Sequence, residues 1–124
     1  MTGNEYQVAA LRTANVKEAS IGRLLINGVM GLCGEAGECI DLLKKASFQG
    51  HQFDRKKFAE ELGDVAWYLA VSAFAAGYDL DYILQKNVEK LWERYPDGFT
   101  SEQSIHRKEY EHGSQSDSSD AVSH

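Results

Sequence analysis

Residues 34–45 read GEAGECIDLLKK and place two carboxylates, Glu35 and Glu38, three positions apart inside an apolar run. Residues 60–70, EELGDVAWYLA, repeat the arrangement with Glu61 and Asp64. Apolar residues recur at intervals of three and four around both. In the first stretch these are Leu25, Val29, Leu32, Ala36, Cys39 and Leu43; in the second they are Phe58, Leu62, Val65, Leu69 and Ala76. That period belongs to an amphipathic helix. It predicts one helix over about 21–46 and another from 54 or 55 to about 76. Asp54 is a suitable N-cap and Gly77 a suitable stop. Two further helices are expected. One covers about 4–14, with Tyr6, Ala9, Ala10 and Leu11 facing inward. The other starts at Asp79 or Asp81, carries Ile83, Leu84, Val88, Leu91 and Trp92, and ends before the sequence YPDGF. No segment alternates with the period of a strand, so the expected fold is an all-α bundle of four main helices.

The chain has 124 residues, enough for one core. Pro96 is the only proline, so none interrupts a helix before it. There is no apolar run long enough to span a bilayer and no signal-peptide pattern at the N-terminus, so a cytoplasmic location is expected. The net charge is −6 and no basic block occurs, which disfavours binding to a nucleic-acid polymer. Cys33 and Cys39 lie six residues apart, a rise of roughly 9 Å on one helix. A disulfide allows Cα atoms at most about 7 Å apart, so both are expected to be reduced packing residues. They form no CxxC pair, which argues against zinc. Trp67, Phe74 and Tyr78 fall off the main stripe, implying a second buried face and self-association. Residues 106–124, HRKEYEHGSQSDSSDAVSH, are polar and serine-rich. A folded domain over 1–107 and a disordered tail over 108–124 are expected.

Successive helical residues turn by about 100°, which fixes where the acids lie. Glu61 falls on the edge of the apolar stripe and Asp64 about 60° further round, one turn along. Glu60 falls outward. Glu35 and Glu38 stand in the same relation on the preceding helix. If the two helices pack antiparallel, the pairs can meet. Four converging carboxylates with no cation between them repel one another, and burial raises their pKa values. A hard divalent ion resolves this, and all-oxygen ligands suit Mg²⁺ or Mn²⁺. The competing reading is a solvated acidic face, which is common for any single pair. Glycines at 31, 34, 37 and 63 suggest close helix approach or room for a ligand. Lys45 lies two turns beyond Glu38 on nearly the same stripe, within reach of a phosphate tail.

The motif Glu35-x-x-Glu38, a spacer of 22 residues, then Glu61-x-x-Asp64 resembles the ExxE…ExxD signature of the MazG-like all-α nucleotide pyrophosphohydrolases. The segments GLCGEAGECIDLLKK, EELGDVAWYLA and NVEKLWERYPDGF follow in order, over roughly residues 28–107. The closing KLWERYPDGFTSEQSIHR resembles the short, single-domain, phage-type branch. The resemblance implies cleavage of a nucleoside triphosphate between the α and β phosphates, with Mg²⁺ held by Glu35, Glu38, Glu61 and Asp64. It implies a bundle completed by homo-oligomerisation, as a dimer or tetramer, and a housecleaning role toward surplus or non-standard nucleotides. Glu38 is the candidate to orient or deprotonate the attacking water. By the same resemblance Tyr68, Asn87, Lys90 and Arg94 join Lys45 as candidate substrate ligands. Trp67 and Trp92 are read as core or interface residues and His51 as a loop histidine at the pocket mouth. Two other classes remain open: a non-catalytic helical interaction module, and a phosphohydrolase acting on diphosphates or dinucleotides. Base and sugar preference are left open.

Overall fold

A computed structural model describes residues 1–107. The tail expected over 108–124 lies outside the described residues. The described chain is all-helical: α1 (Gly3–Leu11), α2 (Ile21–Phe48), α3 (Arg55–Ala75), α4 (Leu80–Arg94) and a short α5 (Ser101–Ile105). The first four match the expected helices. The fifth was not expected; five residues are too few for an apolar period to show, and its local signal is the Thr100 cap, whose side chain accepts from the Gln103 N–H.

Side-chain caps start α1, α2 and α3 as well as α5. Thr2 and Glu5 form a reciprocal capping box on α1. The Ser20 side chain caps α2, and the Asp54 carboxylate accepts from the Lys57 N–H at 3.0 Å to start α3. Gly77, at φ +85°, ends α3 with a backbone conformation that other residues adopt only at a cost. α1 stops at Leu11, earlier than the expected Ala14, and a turn bonded from the Thr13 N–H to the Ala10 carbonyl follows.

The chain divides into two compact units, residues 1–83 and a second from residue 84 onward. In the first, α2 and α3 run antiparallel, and α1 docks on the C-terminal half of α3. Ala10, Ala70 and Leu80 form one buried cluster, joined by Tyr6, Trp67 and Leu69. Leu24, Val71 and Ala75 form another, joined by Leu11, Ala14, Leu25 and Trp67. The buried positions differ in part from the expected stripes. Val29, Leu43 and Leu62 are exposed, whereas Leu24, Gly28, Ala70, Val71, Ala73 and Ala75 are buried. Because α3 is covered by α2 on one side and α1 on the other, its C-terminal half is buried over two faces.

Gln7 is the polar residue that periodicity overlooks. It is buried, and its amide nitrogen donates to the carbonyls of Ala70 and Tyr78, both at 3.1 Å. Its amide oxygen accepts from the Leu80 N–H at 3.2 Å. One side chain thus satisfies the Tyr78 carbonyl and the Leu80 N–H at the α3–α4 turn, which burial would otherwise leave costly, and adds a second bond to the Ala70 carbonyl inside α3. Asn4 and Asp81 add a reciprocal clamp, Asp81 N–H to Asn4 and Gly3 N–H to Asp81, each at 2.9 Å.

In the second unit, Leu84, Val88, Leu91 and Trp92 of α4 are all exposed. Of the two readings of Trp92, core or interface, its exposure leaves only the interface one for the single chain. Cys33 is also exposed, so it is not a packing residue of the single chain; both cysteines are free thiols, as expected.

Candidate metal centre

The contacts between α2 and α3 fix the register of the acid pairs. A methyl built on Gly28 would meet the Ser72 hydroxyl at 2.5 Å, and one built on Gly31 would overlap the Tyr68 ring. The two helices therefore cross closely at 28/72 and again at 31/68. Continuing antiparallel by one turn sets Glu35 against Asp64 and Glu61. Glycine at these two positions permits the approach. Gly34, Gly37 and Gly63 meet nothing within 4 Å, so close approach, expected there as well, rests on Gly28 and Gly31 instead.

One turn beyond the crossing, carboxylate oxygens of Glu35, Glu61 and Asp64 lie within 4.8 Å of one another. Glu35 and Glu61 are half-buried at the edge of the helix interface, and Asp64 is exposed. The Glu35 carboxyl is held above the usual carboxylate range. Desolvation contributes most, followed by its hydrogen bond with Glu61 and the charges of Asp64, Glu61 and Glu38. Glu38 stands outside the trio and is exposed, but is near enough for its charge to be felt at Glu35.

Two neighbours of the trio escaped sequence reasoning as site residues. Tyr6 of α1 has its phenol pushed up by burial and then by the Asp64 charge. The Cys39 thiol is pushed up by desolvation and by Glu61 and Glu35. Both are in the sequence only as members of apolar stripes, and no spacing rule marks them. Asp41 is a third. Its carboxylate pairs with Lys45 at 2.8 Å and with Lys44 at 3.4 Å, so the candidate phosphate ligand Lys45 is held by an acid on its own helix. The Lys45 ammonium is accordingly pushed up, first by Asp41, and Asp41 is held low, first by Lys45. The signal for this one was legible: an acid four residues before a lysine on a helix.

Tyr68 is half-buried on α3, its ring edge-on to Trp67 at 4.9 Å between centroids. The Trp67 indole N–H donates to the Thr13 hydroxyl at 3.0 Å, tying α3 to the segment after α1. His51 is exposed in the α2–α3 loop. Asn87, Lys90 and Arg94 belong to the second unit; the first two are exposed and Arg94 is half-buried. A concavity of about 720 Å³ in the first unit is lined by Asn15, Glu18, Arg23, Asn27 and Trp67, among others. None of the expected substrate ligands is among its described lining residues.

The donor set is chemically selective. Three carboxylates with no imidazole or thiolate in the trio suit a hard cation over zinc. Ligand oxygens around an ion with Mg–O distances of about 2.1 Å lie roughly 3–4 Å apart, so the trio needs only small side-chain adjustments to fit.

Comparison with known proteins agrees with this geometry. The model of the MazG nucleotide pyrophosphohydrolase domain matches residues 27–99, a span that holds all four motif acids. This chain belongs to the MazG nucleotide pyrophosphohydrolase family. The chain is also similar to the gene 37 protein of Mycobacterium phage L5, 35% identical over 96 residues, covering 72% of this chain and 84% of that protein. No solved structure matches the chain. Within the MazG match, α2 and α3 supply the acid trio, while α4 and the YPDGF turn close the matched span. Among the described residues, no helix is long and apolar enough to cross a membrane.

Proposed function

We propose that this MazG-family chain is a Mg²⁺-dependent nucleoside triphosphate pyrophosphohydrolase, acting in the cytoplasm to clear surplus or non-standard nucleotides. The observation that carries the reading is the convergence of Glu35, Glu61 and Asp64 on one point at the α2–α3 crossing. In the reaction, water adds to phosphorus, the bridging P–O bond between the α and β phosphates breaks, and a monophosphate and pyrophosphate leave. Mg²⁺, when bound, neutralises the polyphosphate and makes the attacking water more acidic. Glu35, Glu61 and Asp64 hold the ion, with Glu38 as a fourth ligand. Glu38 is also the residue assigned to take the proton from water; its position outside the trio leaves it less committed than the others. Lys45 turns from Asp41 to the phosphates and Tyr68 of the same unit contacts the substrate; Asn87, Lys90 and Arg94 are the candidate substrate ligands that the second unit carries. Mn²⁺ is expected to substitute for Mg²⁺.

The functional unit is a homo-oligomer, either dimer or tetramer. Apolar side chains that the single chain leaves in water support this. Ile26, Met30, Ile40 and Phe48 lie along α2, with Met30 70% and Phe48 84% exposed. Leu84, Val88, Leu91 and Trp92 lie along α4. Such extents of apolar surface are unusual on a monomer.

A panel of nucleoside triphosphates with Mg²⁺ tests the proposal, products being separated by ion exchange. Monophosphate plus pyrophosphate is the expected result, falling at least about 100-fold in Glu61→Gln as transition-state charge stabilisation is lost. Orthophosphate as the first product, or turnover indifferent to Glu61→Gln, would refute it. Light scattering tests the assembly; a monomer at micromolar concentration would refute that part.

A further inference from the structure

The second unit contains a recess of about 180 Å³ lined by Arg94, Gln103, His106 and Arg107. No aspartate or glutamate is among its described lining residues, in a chain whose net charge is −6. We propose that this recess binds a small phosphate-type oxyanion, inorganic pyrophosphate or phosphate, without a metal ion.

The side chains are suited to that ligand class. The half-buried Arg94 has its Nε atom sealed from solvent, which limits the positions of its guanidinium. The Thr100 hydroxyl donates to the Gln103 amide oxygen at 3.0 Å, and Thr100 Oγ1 also accepts from the Gln103 N–H at 3.2 Å. With the oxygen occupied, the Gln103 amide offers its NH₂ group. An imidazole presents an N–H in either protonation state. A guanidinium carries five N–H groups, so Arg94 and Arg107 keep donors for a ligand while engaged elsewhere. The recess is thus dominated by donors, two of them permanently cationic and shaped for forked contact with phosphate oxygens.

Size narrows the ligand. Pockets for drug-sized molecules run to about 300–1,000 Å³. This one is smaller, and at about 30 Å³ per water it holds roughly six water-sized groups. That accommodates a phosphate or the core of a pyrophosphate and excludes a nucleoside. Gln103 of α5, its C-cap His106 and the following Arg107 stand at offsets of three and four, and all three line the recess. Arg94 is shared with the substrate ligands proposed above; the other three are not, and the site does not depend on turnover.

Calorimetry on the full chain in EDTA, titrated with sodium pyrophosphate and separately with phosphate at fixed ionic strength, tests the proposal. Without Mg²⁺ the acid trio repels these anions, so a signal reports another site. One saturable event is expected with at least one of the two. Arg107→Gln and Gln103→Ala, both at exposed positions and checked for retained helicity, should each weaken it, Arg107→Gln by about tenfold or more. Glu61→Gln should leave it unchanged. Absence of saturable binding for both anions overturns the proposal, as does binding indifferent to Arg107→Gln. Neither result bears on whether the protein hydrolyses triphosphates, which the product panel decides.

Discussion

Gly28 offers a direct test of the crossing that brings the acids together. In a helix interior, alanine is favoured over glycine by up to about 1 kcal/mol. At Gly28 that gain meets an obstacle, because the new methyl would stand 2.5 Å from the Ser72 hydroxyl oxygen. Overpacking of this kind costs about 1–3 kcal/mol. Rotation of the hydroxyl to another staggered position relieves part of the overlap, which puts the cost near the low end. Gly28→Ala alone should therefore be neutral to destabilising by about 1 kcal/mol. The Ser72 hydroxyl is buried with no hydrogen-bond partner among the described residues, so Ser72→Ala should stabilise by about 1 kcal/mol. With that oxygen gone, the nearest atoms to a methyl at 28 are the Ser72 backbone Cα and N at 3.4 Å, an ordinary contact. Gly28→Ala should then stabilise by up to about 1 kcal/mol in the Ser72→Ala background. The sign of one substitution changes with the other, a coupling of about 1–2 kcal/mol. Urea denaturation followed by helical circular dichroism at fixed protein concentration measures all four corners. Strict additivity, with Gly28→Ala equally favourable in both backgrounds, would show that α2 and α3 do not cross here and would remove the register on which the acid trio rests.

Gly31→Ala should be the harsher change, because the Tyr68 ring it would overlap is itself packed against Trp67; a loss of about 1–3 kcal/mol and weaker Mg²⁺ binding are expected by denaturation and calorimetry. Gln7→Leu keeps the volume but strands the Leu80 N–H and the Tyr78 carbonyl, and should lower stability by about 2–4 kcal/mol, or the thermal midpoint by about 10 °C or more. Because the Glu35 carboxyl titrates above its usual range and must be ionised to hold a cation, Mg²⁺ affinity should fall as pH is lowered through that raised pKa, approaching tenfold per pH unit; a flat profile would separate Glu35 from the metal. In the metal-free protein the sign is opposite. A carboxyl whose pKa is higher folded than unfolded favours the fold as pH falls through the folded value, and that contribution is lost as pH rises. Thermal melts in EDTA should show Glu35→Gln narrowing the gain on acidification.

Four helices, their caps at Asp54 and Gly77, and the two acid pairs could all be read along the chain. These are local properties: a period of three and four, a side chain that caps its own helix, and an i, i+3 interval depend on neighbours a few positions away. The placement of Glu61 at the edge of the buried face, and of Glu60 outside it, follows from the same rotation of about 100° per residue. Other features depend on which helix meets which face. Burial of Ala70 and Val71 in place of Leu62 arises because α1 covers the far side of α3, a partnership that no period on α3 encodes. Gly28 and Gly31 rather than Gly34 and Gly37 carry the close approach, since only they face Ser72 and Tyr68 across the crossing. Three acids converge and Glu38 stands aside because the antiparallel register fixes which turn of α2 faces which turn of α3. Gln7, Tyr6 and Cys39 take their roles from atoms distant in sequence, which only the folded chain brings near. Spacing along a helix states which side chains share a face; it carries no information about what stands opposite that face.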